Sequence, residues 1–174
     1  QFNTDMRRIL MISLTILLFS TSVFAQSNGT TKGYRGEVSI GDMFGLNTEY
    51  GSVLNFQTTH GVAFSDGAFV GAGIGFLSDI DDFYPMIPVF LKVSQSFCRN
   101  NTINPYASVS LGCYLNAPAG VALYASPELG IEVSRFRLFA NYSFYQNTDD
   151  CYWHGNVGEK VRSLTIGIAF RFGK

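Results

Sequence analysis

Glu128-Leu129-Gly130-Ile131-Glu132-Val133-Ser134-Arg135-Phe136-Arg137-Leu138-Phe139-Ala140-Asn141-Tyr142-Ser143-Phe144-Tyr145 is the stretch that decides the fold. Successive side chains of an extended chain point to opposite faces. Leu129, Ile131 and Val133 therefore share one face, and Glu128 and Glu132 the other. After Ser134-Arg135 the pattern resumes, with Leu138, Ala140, Tyr142 and Phe144 against Arg137, Asn141 and Ser143. A two-residue turn at Ser134-Arg135 sets Val133 opposite Phe136 on the apolar face. The same turn sets Glu132 opposite Arg137 on the polar face, where opposite charges attract.

Outward from this hairpin, alternation is nearly everywhere, and no stretch after Gln26 sustains a 3.6-residue period. Eight strands are predicted: Gly33 to Phe44, Val53 to Phe64, Ala68 to Leu77, Met86 to Phe97, Pro105 to Leu115, Leu123 to Val133, Phe136 to Tyr145 and Ser163 to Phe172. Ser65-Asp66-Gly67 fits a three-residue hairpin with Gly in the left-handed position, which keeps Phe64 and Ala68 on one face. Ser134-Arg135 and Cys98 to Asn104 are the other connectors of that parity. The opposite parity is longer: Gly45 to Ser52, Ser78 to Pro85, Asn116 to Ala122 and Gln146 to Arg162. Short turns at one end and long loops at the other are the layout of transmembrane barrels. Strands of about 9–11 residues are long enough to cross a bilayer at a tilt.

A soluble sandwich also alternates, with its apolar face as core. Two features favour the membrane. Aromatic residues sit at the ends of the apolar faces (Phe44, Phe64, Phe97, Phe136, Phe170, Phe172), as interfacial girdles do. The polar faces are rich in Gly and Ser and thin in charge. Charged residues are 14% of the 174-residue chain, below the roughly 25% of soluble domains. The expected fold is all-β, a closed antiparallel eight-stranded transmembrane β-barrel. Twelve basic against thirteen acidic side chains exclude a nucleic-acid partner bound through bulk positive charge.

The first residues read as an address. Met6-Arg7-Arg8 precedes an apolar run from Ile9 to Phe19, then Ser20-Thr21-Ser22-Val23-Phe24-Ala25. Basic start, short apolar core and small residues at the cleavage point are the order of a secretory signal peptide. Residues 1–25 are expected to be removed before Gln26, which leaves 26–174 as the barrel domain, exported to the outer membrane.

The ending Val-Phe-Ala-Gln, the segments Ile87-Pro88-Val89-Phe90-Leu91 and Pro105-Tyr106-Ala107, and the closing Ile166-Gly167-Ile168-Ala169-Phe170-Arg171-Phe172 carry a resemblance. Together they resemble the small outer-membrane β-barrel proteins of Bacteroidetes, in the broad OmpA/OmpX-like group. The resemblance implies an outer-membrane, porin-like barrel among membrane lipids and lipopolysaccharide. It also implies recognition of the aromatic last strand by the barrel-insertion machinery, although Gly173-Lys174 follow Phe172 here.

In the barrel register Arg35, Glu37, Lys92, Glu128, Glu132, Arg137 and Arg171 point inward. Eight strands enclose a space that side chains just fill, and an unpaired buried ion is costly. A salt-bridge network plugging the lumen is expected, with a gated polar pathway as the sharper alternative. Inward Gly71, Gly73 and Gly75 either leave room for a ligand or accommodate bulky neighbours such as Phe90 and Tyr106.

No cofactor, metal site or catalytic residue is expected, and the chain is not expected to be an enzyme. His60 has no acid or nucleophile beside it in the predicted register. His154, with Asp149, Asp150 and Ser163 nearby, hints at acyl-transfer chemistry and keeps a lipid-modifying enzyme as an alternative. Asp79, Asp81 and Asp82 form an acidic loop tip without the calcium-loop pattern. Tyr152, Trp153 and His154 in the last long loop are candidates for contact with a surface partner or with lipid headgroups. Cys98 and Cys113 lie too far apart along adjacent strands to bridge, so Cys98, Cys113 and Cys151 are expected as free or mostly buried thiols. The function expected first is a structural or surface-interaction role through the long loops. A narrow solute channel and a soluble periplasmic β-barrel ligand binder are further alternatives.

Overall fold

The computed structural model describes residues 33–46, 52–64, 67–79, 86–98, 102–116, 120–146 and 160–173. These form eight strands: β1 (Gly33–Gly45), β2 (Ser52–Ala63), β3 (Ala68–Asp79), β4 (Met86–Ser96), β5 (Ile103–Asn116), β6 (Gly120–Val133), β7 (Phe136–Gln146) and β8 (Lys160–Gly173). Each strand pairs with its sequence neighbours, and β1 pairs with β8, which closes an antiparallel barrel. The expected fold stands. Residues 1–25 and their proposed cleavage lie outside the described residues.

The sequence register holds at the turns. Val133 faces Phe136 and Glu132 faces Arg137 across β6 and β7. Gly67 adopts φ of +94°, and the Phe64 amide donates to the Ala68 carbonyl at 2.8 Å. Several predicted ends were short by a few residues. The β5–β6 ladder runs on to the pair Asn116–Gly120, so the long loop expected from Asn116 to Ala122 is mostly strand. Cross-strand pairs carried the ladder past the point where alternation fades. Two interruptions coincide with prolines. Pro88 on β4 and Pro127 on β6 lack an N–H, and the pairing breaks beside them, towards β3 and β7 respectively.

Ser134 turns the β6–β7 hairpin with φ of +56°, the one non-glycine residue of positive φ among the described residues. A side chain in the left-handed region costs about 1–2 kcal/mol. Ser134→Gly should therefore raise the unfolding free energy by about 1 kcal/mol, read from urea unfolding in micelles. A drop would mean that the seryl hydroxyl stabilises this turn.

The polarity of the barrel is inverted relative to a soluble protein. The outward rows carry Leu91, Leu129, Leu138, Ile166 and Ile168 exposed, whereas Arg137, Glu37 and Lys92 are buried inside. The aromatic ends of the outward rows stand where expected. Phe97, Phe136 and Phe170 are exposed at the short-turn rim, and Phe44 at the other rim. An apolar exterior over a polar interior is the arrangement of a barrel that spans a bilayer.

Candidate functional site

The seven inward charges come from five strands. Arg35 and Glu37 lie on β1, Lys92 on β4, Glu128 and Glu132 on β6, Arg137 on β7 and Arg171 on β8. Six of them join in one alternating chain across the lumen. Lys92 Nζ lies 3.0 Å from Glu128 and 2.9 Å from Glu37. The other oxygen of Glu37 accepts from Arg137 at 2.9 Å. Arg137 reaches Glu132 at 3.1 Å, and Glu132 closes on Arg171 at 2.6 Å. Burial in a low-dielectric interior strengthens such contacts and raises the cost of leaving any member unpaired.

Neutral groups complete the network. The Tyr106 hydroxyl and Ser108 Oγ both donate to Glu128 at 3.0 Å, and Ser96 Oγ donates to Glu132 at 3.3 Å. The Arg137 guanidinium also stacks on the Tyr106 ring, 4.0 Å from its centroid, a favourable placement of a cation over an aromatic face. Tyr106 thus serves two charges at once, a role that alternation alone did not reveal. Arg35 takes a different position from the other six. It lies over the Phe69 ring at 4.1 Å and donates to Ser94 Oγ at 3.3 Å.

The charges occupy the half of the lumen nearer the short turns. The half nearer the long loops is apolar, which sequence reading did not anticipate. Met43, Val53, Leu77, Met86, Phe90, Tyr114 and Tyr124 form one buried cluster there. Tyr114 and Tyr124 lie with ring centroids 4.5 Å apart, and Tyr145 meets Tyr114 at 5.0 Å. Ser126, Ser143 and Asn141 hydrogen-bond between the two layers. The only available signal was parity, which places Met43, Val53, Leu77 and Met86 on inward rows without saying that they meet.

The inward glycines make room for rings. A Cβ on Gly73 would collide with the Phe90 ring, and one on Gly71 would lie 2.6 Å from Phe69. The expectation for Phe90 is met, but Tyr106 packs instead over Gly130, 2.7 Å from where its Cβ would be. The stagger of the strands decides which glycine lies under which ring, and that stagger is a barrel property.

His60 requires a correction. It lies on the outer face of β2, and its Nδ1 is 2.6 Å from the Tyr34 hydroxyl while its Nε2 is 3.0 Å from Thr58 Oγ1. Hydroxyl groups therefore flank it, contrary to the sequence expectation, because β1 pairs with β2 so that Tyr34 lies near His60. The Phe172 ring packs edge-on to His60 at 6.0 Å. Cys98 and Cys113 form no disulfide, and Cys98 is exposed rather than buried because it follows the end of β4. Cys113 faces outward between Val89 and Leu123. Tyr152, Trp153, His154, Asp81, Asp82 and Cys151 lie outside the described residues, as does the side chain of Asp79.

No protein-family model and no curated protein matches the chain. Solved structures do. Neisserial surface protein A aligns with 84% of this chain and 100% of its own, at 13% identity and a TM-score of 0.52. The fold is that of small transmembrane β-barrels. The N-terminal β-barrel domain of Pseudomonas aeruginosa OprF matches 82% of this chain and 100% of its own, at 14% identity and a TM-score of 0.49. The outer membrane enzyme PagL matches 78% and 98%, at 9% identity and a TM-score of 0.49. At these identities the likeness is one of architecture.

Proposed function

We propose that this chain is an integral outer-membrane protein whose closed barrel is a scaffold, acting through the long loops at one end. The observation that carries the reading is the inverted polarity: buried Arg137, Glu37 and Lys92 inside, and exposed Leu91, Leu129 and Ile166 outside. In water this arrangement would bury ions at a cost and expose an apolar belt larger than soluble monomers tolerate. In a bilayer the belt is favourable, and the paired lumen keeps the charges out of the lipid. Membership in the OmpA/OmpX-like barrels of Bacteroidetes belongs to the same proposal, supported by the sequence resemblance.

The lumen supports a scaffold rather than a channel. An ion crossing it would have to part the chain of ion pairs and then pass an aromatic layer, and hydrophobic constrictions exclude water and ions. Outer-membrane recovery, with faster gel migration of the unboiled form, is the expected result of fractionation. Planar-bilayer recordings should give no discrete conductance steps. Recovery in the soluble periplasm would overturn the membrane assignment, and steady single-channel steps would overturn the closed lumen.

A further inference from the structure

The outer wall of the barrel holds one feature that a lipid-facing surface does not need. Even-numbered residues of β1, β2 and β8 face outward, and between the polar group Thr58–His60 at one end and Lys160 and Arg162 at the other they are mostly aliphatic or aromatic. Asp42 breaks the row. It sits at one level between Leu54 on β2 and Ile166 on β8. Among the described residues it is the only acidic side chain on an outward row. Its carboxylate accepts a hydrogen bond from Ser52 Oγ on the neighbouring strand. Two short polar side chains among longer aliphatic ones leave a depression of about 310 Å³, walled by Ile40, Leu54, Ile166 and Ile168. Asp42 is the only charge lining it.

The position of the depression matters as much as its content. Asp42 lies three residues before Gly45, the last residue of β1, at the long-loop end. On the membrane-spanning reading, two residues below the rim aromatic Phe44, that is interfacial depth, where the head of a lipid meets its tails. An ionised group facing lipid is costly unless it finds a partner. Farther towards the same rim, β8 places Lys160 and Arg162 outward and exposed. The wall therefore presents, in order from rim to midplane, two cations, a carboxylate held by one hydroxyl donor and an aliphatic trough.

We propose that this wall binds one lipid whose head is anionic and whose head–tail junction carries N–H or O–H donors, as an amide-linked, hydroxylated acyl chain does. The junction donors meet the Asp42 carboxylate, the phosphate lies above them within reach of the Arg162 side chain with Lys160 adding its charge from nearer the rim, and the chain lies along Ile40, Leu54, Ile166 and Ile168. An ester-linked lipid offers only acceptors at the junction and gives the carboxylate no donor beyond Ser52 Oγ. The inference rests on the membrane-spanning reading and names the lipid chemistry that this reading left open.

The test uses the purified full chain in micelles doped with ceramide 1-phosphate or with phosphatidic acid of matched chain length, read by native mass spectrometry. Both lipids carry a phosphate monoester, and only the first carries junction donors. Wild type should retain ceramide 1-phosphate roughly tenfold better, the worth of one charge-assisted hydrogen bond. Asp42→Leu fills the depression with an apolar chain and should bring the ratio to about one. Ser52→Ala, a second and milder variant, should keep part of the preference. Lys160→Gln with Arg162→Gln should weaken retention of both lipids and leave the ratio unchanged. Equal retention by wild type, or a ratio untouched in Asp42→Leu, overturns the lipid site while the heat-modifiable barrel stands. A lipid-independent dimer lost in Asp42→Leu overturns it in favour of a second copy. A chain that stays monodisperse without detergent overturns both the site and the membrane reading.

Discussion

Arg137→Met should lower the unfolding free energy by about 3–5 kcal/mol, the usual cost of removing one partner from a buried ion pair. Arg137 is fully buried and bonds Glu37 at 2.9 Å and Glu132 at 3.1 Å. Without it two carboxylates lose their shared cation inside a closed lumen, and the Tyr106 ring loses the guanidinium stacked on it. The loss is measured by urea unfolding in micelles and should also appear as a lower temperature of conversion between the fast and slow gel forms. A companion variant separates charge from packing. Adding Glu37→Gln to Arg137→Met removes the anion between Arg137 and Lys92 and leaves the pairs Lys92–Glu128 and Glu132–Arg171 intact, so it should recover part of the loss, because neutral replacement of a whole buried ion pair is often tolerated. A loss below about 1 kcal/mol for the single variant would make this network no stronger than exposed surface pairs.

Leu91→Arg carries the second large effect, and its size depends on what surrounds the barrel. Leu91 faces outward with 65% exposure, flanked by Ala72 and Leu111, midway along β4. At the midplane of a bilayer an arginine on the lipid face costs about 2–4 kcal/mol. On the surface of a soluble protein the same change would stay within about 0.5 kcal/mol. Phe97→Arg at the rim is the matched control, where the bilayer cost falls to about 0–1 kcal/mol. Unfolding free energies in lipid vesicles should therefore rank wild type close to Phe97→Arg and well above Leu91→Arg. Equal stability for all three would remove the membrane from the account.

Much of this architecture could be read along the chain because a strand has the simplest period available. Glu132 facing Arg137 needed only a two-residue turn and alternation, and both are local. The inward direction of Arg35, Glu37, Lys92, Glu128 and Arg171 followed from the same rule. What alternation cannot give is the position of one strand against another along the barrel axis. That offset decides that Tyr106 covers Gly130, that Tyr34 reaches His60, and that Arg35 stacks on Phe69. It also separates the lumen into charged and apolar halves, since Met43, Val53, Leu77 and Met86 gather only once the strands are staggered. Asp42 gave no signal in alternation alone, because its meaning depends on the neighbours that β2 and β8 bring beside it.

The chain of charges also bears on how the molecule can assemble. Its central anion belongs to the first strand, while its partners Lys92 and Arg137 belong to the fourth and the seventh, the latter 100 residues away. Neither ion pair of Glu37 can form within a single hairpin, unlike Glu132–Arg137, so this centre of the network rewards only the finished ring. An open sheet must keep Glu37 hydrated, and Lys92 and Arg137 short of it, until the first and last strands meet. Contacts of such long sequence separation form late and slowly. Sealing the seam and neutralising the interior are thus one event, and the closed ring is held by a latch that no partly built barrel possesses.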